Sequence, residues 1–163
     1  MIDLNDLKEK IQTIFETANT TTASQDLSSG LESRVKRVLK VNPSLIPIQA
    51  SWYPFVTVYT SHKDINSEGF GKDQLSVKRR AVLDLKVIGA VWNSTITNNE
   101  EDPADDDCES IMENIEQILR ANPTLGGVAT WSKPLSVSYH NASLDEETHI
   151  RAGIMSLEAT VFY

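Results

Sequence analysis

Apolar positions along the 163-residue chain change period several times, and each change marks an element. Leu4, Leu7, Ile11, Ile14, Phe15 and Ala18 recur at helical spacing behind Asp3, a capping residue, which predicts a first amphipathic helix. Residues 19–24 are polar and Thr-rich, a poor helix and a good connection. Leu27, Leu31, Val35, Val38 and Leu39 then fit a second helix, which Asn42-Pro43 ends. Gly30 weakens that helix by up to ~1 kcal/mol. Its other face would show Arg34, Lys36, Arg37 and Lys40.

Pro43, Pro47 and Pro54 punctuate an extended segment, after which residues 55–60 read as a strand from their β-branched and aromatic content. Residues 62–76 are polar and contain Gly69-Phe70-Gly71, a loop tip. The longest alternation follows. Val77, Arg79, Ala81, Leu83, Leu85, Val87, Gly89 and Val91 share one face, and Lys78, Arg80, Asp84 and Lys86 dominate the other. That is a half-buried antiparallel strand. Residues 77–92 would extend roughly 50 Å at ~3.3 Å per residue, against a radius of gyration of ~15 Å for a domain of this size. Such a strand bends, or projects as a hairpin arm, and a projecting arm with a basic face wants a partner.

Residues 98–107 form a polar linker, and Ile111, Met112, Ile115, Ile118 and Leu119 are the buried stripe of the helix behind it. Asp106 or Asp107 is the expected cap, acids crowd the positive end of the dipole, and Asn122-Pro123 closes the helix. Gly126-Gly127 turns into residues 128–139, a strand pair or one strand broken at Pro134. Residues 150–163 make a last strand. The order predicts one α+β domain over 1–163, with an antiparallel or mixed sheet of about four strands, helices on one face and a long β-hairpin arm. Residues 19–41 stand out as a helical insertion.

Charge sharpens this picture. Residues 87–119 hold no Lys or Arg but nine acids, so the formal charge of −8 is local and the rest of the chain is near neutral. A concentrated acidic patch on a balanced domain is an electrostatic surface facing something, or, more blandly, a solvated loop before a well-started helix. The overall acidity argues against a free-standing nucleic-acid binder. No apolar run is long enough to span a bilayer, the N-terminus lacks the pattern of a secretory signal, and the one cysteine, Cys108, fits a reducing compartment such as the cytoplasm.

Catalytic chemistry is hard to find. His62, His140 and His149 are scattered, with no second ligand at metal spacing. The acids of the linker lack the spacing, turn glycine and closing glutamate of a calcium loop. Cys108 has acids on both sides and no histidine to pair with, and there is no G-x-S-x-G elbow or glycine-rich phosphate loop. Neither a catalytic site, a metal nor a cofactor is expected. Trp52, Tyr53, Trp92 and Trp131 could stack on bases or sugars, but aromatics beside strands more often fill a core or an interface. Trp92 is the core candidate, and Trp52 the candidate for an interface or the core edge.

The order of elements resembles the tail terminator proteins of long-tailed bacteriophages, which complete the tail and join it to the head. The features that carry the resemblance are an amphipathic N-terminal helix, the Pro-flanked strand Pro54-Phe55-Val56-Thr57-Val58, and the strand Lys78-Arg79-Arg80-Ala81-Val82-Leu83-Asp84-Leu85 with its basic start. An acidic linker then leads to a helix of the form E-x-I-x-x-x-I-E-x-I-L, ending at Ala121-Asn122-Pro123-Thr124-Leu125-Gly126-Gly127, and the last strand carries Arg151-Ala152-Gly153-Ile154. Residues 19–41 have no place in that pattern.

The resemblance implies a homo-hexameric ring in the virion, assembled in the host cytoplasm. The ring would cap the tail tube, stop its polymerisation and offer a surface to a head-completion or neck protein. DNA would pass through without specific binding, and no reaction, cofactor or membrane would be involved. On that reading Lys78, Arg79, Arg80, Asp84 and Lys86 fix the contact between subunits. Glu100, Glu101, Asp102, Asp105, Asp106 and Asp107 then line the lumen or a rim, where they repel phosphate. Two alternatives stand beside it: a neck or head-closure connector of the same virion, and a small α+β ligand-binding domain.

Overall fold

The computed structural model describes residues 4–67, 79–93, 103–143 and 149–162. Helix α1 (Leu4–Ala18) buries its periodic residues Leu7, Ile11, Phe15 and Ala18. No second helix follows. Residues 19–36 run as turns and irregular chain into a three-residue strand, β1 (Arg37–Leu39). The helical spacing misled because Leu27, Val35 and Val38 are each buried, but from an irregular path. Polar side chains hold that path by local and cross-chain bonds that compete with a helix. Asp26 accepts from the Ser28 N–H at 3.0 Å, Ser28 Oγ accepts from the Val35 N–H at 2.9 Å, and Asn19 donates to the Val35 carbonyl at 2.8 Å. Gly30, at φ +78°, takes a turn conformation that suits no helix interior.

Two single-turn 3-10 helices (Pro43–Leu45 and Ala50–Trp52) lead to β2 (Phe55–Ser67) and β3 (Arg79–Asn93). Helix α2 (Pro103–Ala121), β4 (Trp131–Ser143) and β5 (His149–Phe162) complete the order. The five strands form one mixed sheet, β1-β2-β3-β5-β4. β1 runs parallel to β2 and every other pair is antiparallel. The fold is α+β, with α1 packed on β1 and β2, and α2 on β3, β5 and β4. β4 is a single strand whose register shifts between Pro134 and Ser136, where a bulge accommodates the proline.

Alternation divides the sheet as the pattern of β3 predicts. Ala81, Leu83, Leu85 and Val87 are fully buried, with Met155, Leu157, Ala159 and Val161 of β5 beside them, and all belong to the core that includes Ile111, Met112, Ile115 and Leu119 of α2. The paired glycines Gly89 and Gly153 let α2 come close: a Cβ on Gly153 would lie 2.3 Å from Met112 Cγ, and one on Gly89 2.9 Å from Ile111 Cγ2. The opposite face is partly covered by the chain between β1 and β2. There Tyr53, Phe55 and Ala90 cluster with Leu39, Ile48, Trp92, Ile150 and Ala152, and the Tyr53 ring stands edge-on to Trp92 at 5.5 Å. Trp92 is therefore a half-buried member of this second cluster.

The long hairpin is present, with β2 and β3 paired from Phe55↔Ala90 to Ser67↔Arg79. Over the described residues it does not stand clear of the domain as an arm. β5 follows β3 from Asn93↔His149 to Arg80↔Phe162, so β3 is a central strand flanked on both sides. Fifteen residues fit because β5, at fourteen residues, is nearly as long. His62, expected in a loop, lies within β2.

Candidate functional site

The strip of charge expected to fix a subunit contact sits on the sheet face away from the helices. Lys78 lies outside the described residues, as does the side chain of Arg79. Arg80, Asp84 and Lys86 are half-buried there. Lys86 Nζ donates to Ser156 Oγ at 2.7 Å and lies 3.4 Å from Asp84. Asp84 is level with Glu158 across β3 and β5, and the lysine offsets the Asp84 charge. Because both edges of β3 are paired, these side chains reach a neighbour only through the open face. Free backbone belongs to the outer strands instead. β1 covers only Phe55 to Thr57 of β2, and on β4 all the pairing among the described residues goes to β5.

The acids divide between two roles. Glu100, Glu101 and Asp102 lie outside the described residues. Helix α2 starts at Pro103, ahead of the expected cap, because proline suits the first helical position and its missing N–H costs nothing there. Asp105, Asp106 and Asp107 are consequently inside the helix. Asp107 is 8% exposed and accepts the Glu32 backbone N–H at 3.3 and 3.4 Å, which ties the irregular segment to α2. Burial raises its pKa, the Glu32 N–H opposes this, and the charges of Glu32 and Asp106 add to the rise. Asp107 is a packing residue and not part of a rim. Asp105 forms an ion pair with Arg151, and Asp106 is exposed.

Surface acid continues along the helix at residues Asp106, Glu109, Glu113 and Glu116, one stripe at helical spacing. Arg120 closes it with an ion pair to Glu116 at 2.7 Å. This stripe borders β4, since Glu109 and Glu113 both raise the Tyr139 hydroxyl pKa, after burial and Cys108. Arg151 Nη1 donates to Asn141 Oδ1 at 2.7 Å, and its guanidinium lies 5.5 Å from the centre of the Tyr139 ring. Beneath them Cys108 is fully buried, its thiol pushed up to about 11, mainly by burial. A thiol held protonated is a poor nucleophile.

Sequence reasoning singled out Trp131 but missed two further exposed apolar residues of β4. Trp131 is 44% exposed, Leu135 52% and Tyr139 39%. The bulge at Leu135 reverses the alternation, so Trp131, level with Thr160, lies on the sheet face away from the helices, and Tyr139, level with Gly153, on the helix face. A cleft of about 610 Å³ lies between α1, the Thr-rich turn and the end of α2. Thr13, Thr17, Thr20, Thr22 and Ser24 line it with Lys10, and its lining among the described residues includes no carboxylate, imidazole or thiol. Among the described residues no three His, Cys, Asp or Glu side chains converge as metal ligands. No described helix is long and apolar enough to cross a membrane. Compared with known proteins, the chain matches no family model and no curated sequence.

Proposed function

We propose that this chain is a structural protein of a long-tailed phage particle, a tail terminator. Copies form a six-membered ring that caps the tail tube, ends its growth and presents a joining surface to a head-completion or neck protein. No reaction, cofactor or metal is assigned to it. The order of elements, through its resemblance to that family, supports the reading. One structural observation carries it furthest: a sheet with helices on one face and two unlike outer strands, β1/β2 at one side and β4 at the other. Unlike sides favour head-to-tail contacts, and such contacts close into rings when the rotation per copy allows.

DNA would cross the ring without being held. Acid at the lumen or rim keeps phosphate from sticking, and Glu100, Glu101, Asp102 and Asp106 are the acids to test for that role. Light scattering on the purified chain over a concentration series, with negative-stain imaging, tests the ring. Closed six-membered particles are expected. A chain that stays at 18.1 kDa at every concentration and binds a small ligand instead would favour the ligand-binding reading.

A further inference from the structure

The two sides of the sheet differ in charge as well as in shape. Residues 4–67, which hold α1, β1 and β2, carry seven bases against six acids. Helix α2 with β4 and β5 carries seven acids against three bases. The polarity therefore runs across the strand order. Register puts its strongest points at one level. Arg37 pairs with Phe55, which lies in the same row as Ala90, Ala152 and His140, next to Tyr139. Lys36 and Arg37 are exposed on one side, Arg37 on the Phe55 face away from the helices, while α2, with Glu109 and Glu113, packs on β4 at the other.

Further along the strands, β2 residues 58–64 are level with β4 residues 131–137. Both stretches are bulged, at Ser61 and at Leu135, so both outer strands bend at nearly the same height. Strand direction alternates from β2 through β3 and β5 to β4. A second copy placed in line would thus bring its β2 antiparallel to the first copy's β4. An outer strand showing Trp131, Leu135 and Tyr139 is the kind of edge that a partner covers.

We infer that the partner of the β4 side is the β1/β2 side of a second copy, in a heterologous contact. The exposed apolar side chains of β4 lie along it, and Glu109 and Glu113 approach Lys36 at one end. This rests on the ring reading above and specifies which surfaces build it. The contact is directional, so complementary charge favours the in-line partner and like charge disfavours a symmetric pair.

Single-cysteine substitutions test it, because the native Cys108 is buried and its thiol is raised to about 11. Ser61→Cys and Ser136→Cys each place a thiol at an exposed position on one outer strand. The two purified full-length variants are mixed and treated at pH 7 with a short bismaleimide, with wild type as the control. Dimers linking Ser61→Cys to Ser136→Cys are expected in several-fold excess over either variant linked to itself. Self-linked dimers in excess would overturn the contact in favour of a symmetric one. Rings without mixed links would overturn this contact while the ring reading stands. A chain that remains monomeric, with no links formed, would overturn both.

Discussion

Substituting alanine for Gly153 adds one methyl group where the sheet and α2 are closest. Its carbon would lie 2.3 Å from Met112 Cγ and 2.7 Å from Met112 Sδ, and Met112 is itself 1% exposed. The methionine must move, yet its sulfur is already 3.0 Å from where a Cβ on Gly89 would be, so little space lies on that side. Overpacking of this kind costs ~1–3 kcal/mol. The flexible thioether places the cost toward the lower half of that range, and the loss of glycine's freedom in the unfolded chain returns ~0.4–1 kcal/mol. The expected net destabilisation is at most about 1.5 kcal/mol. Met112→Ala alone should cost ~2–5 kcal/mol through its cavity. Combining the two lets the new methyl group enter that cavity, so the double variant should cost less than the sum by ~1 kcal/mol or more. Urea unfolding followed by tryptophan fluorescence, at a concentration where the mass is that of one chain, reads all four proteins. Strictly additive costs in the double variant would refute the close docking of α2 on the glycine pair.

Asp107→Asn keeps an acceptor for the Glu32 N–H but removes the charge. The folded protein holds the Asp107 proton more tightly than an unfolded chain, where the pKa is near 3.8, so ionisation above that pH costs stability. The variant should be at least as stable as wild type at pH 7, with any advantage shrinking as the pH falls toward 3.8. A clear loss of stability at pH 7, measured by urea midpoint, would count against this. Cys108 should resist iodoacetamide for hours at pH 8 in the folded protein and react within minutes in urea, followed by mass spectrometry. Rapid labelling without denaturant would show that the thiol is open or activated.

Elements whose burial is periodic were legible in the sequence, and those held by polar side chains were not. The stripe of α1, the alternation of β3 and the stripe of α2 each follow from one face packing on one core. β1 carries no such signature. It is three residues long, and its place beside β2 depends on Asn19, Asp26 and Ser28 bonding across the turn, a matter of particular partners and not of period. The start of α2 was misplaced for a similar reason: Asp106 and Asp107 are good caps, but proline at the first position fits better still. Length alone made β3 look like a projecting arm, since nothing in its own residues shows that β5 runs alongside it. The exposure of Leu135 and Tyr139 on β4 escaped notice because the bulge at Leu135 reverses the alternation there. Charge was read correctly as local, yet its division between the buried Asp107, the paired Asp105 and an open stripe on α2 needed the fold.

Terminator function is tested most directly by tail length. A phage that encodes this chain is deprived of it, complemented with wild type or with empty vector, and its tails are measured by electron microscopy. A ring that caps the tube and joins it to the head predicts tails of one length attached to heads with wild type. Without the protein, tubes should run past that length and lie unattached to heads. Tails of normal length, already joined to heads in its absence, would contradict the proposal.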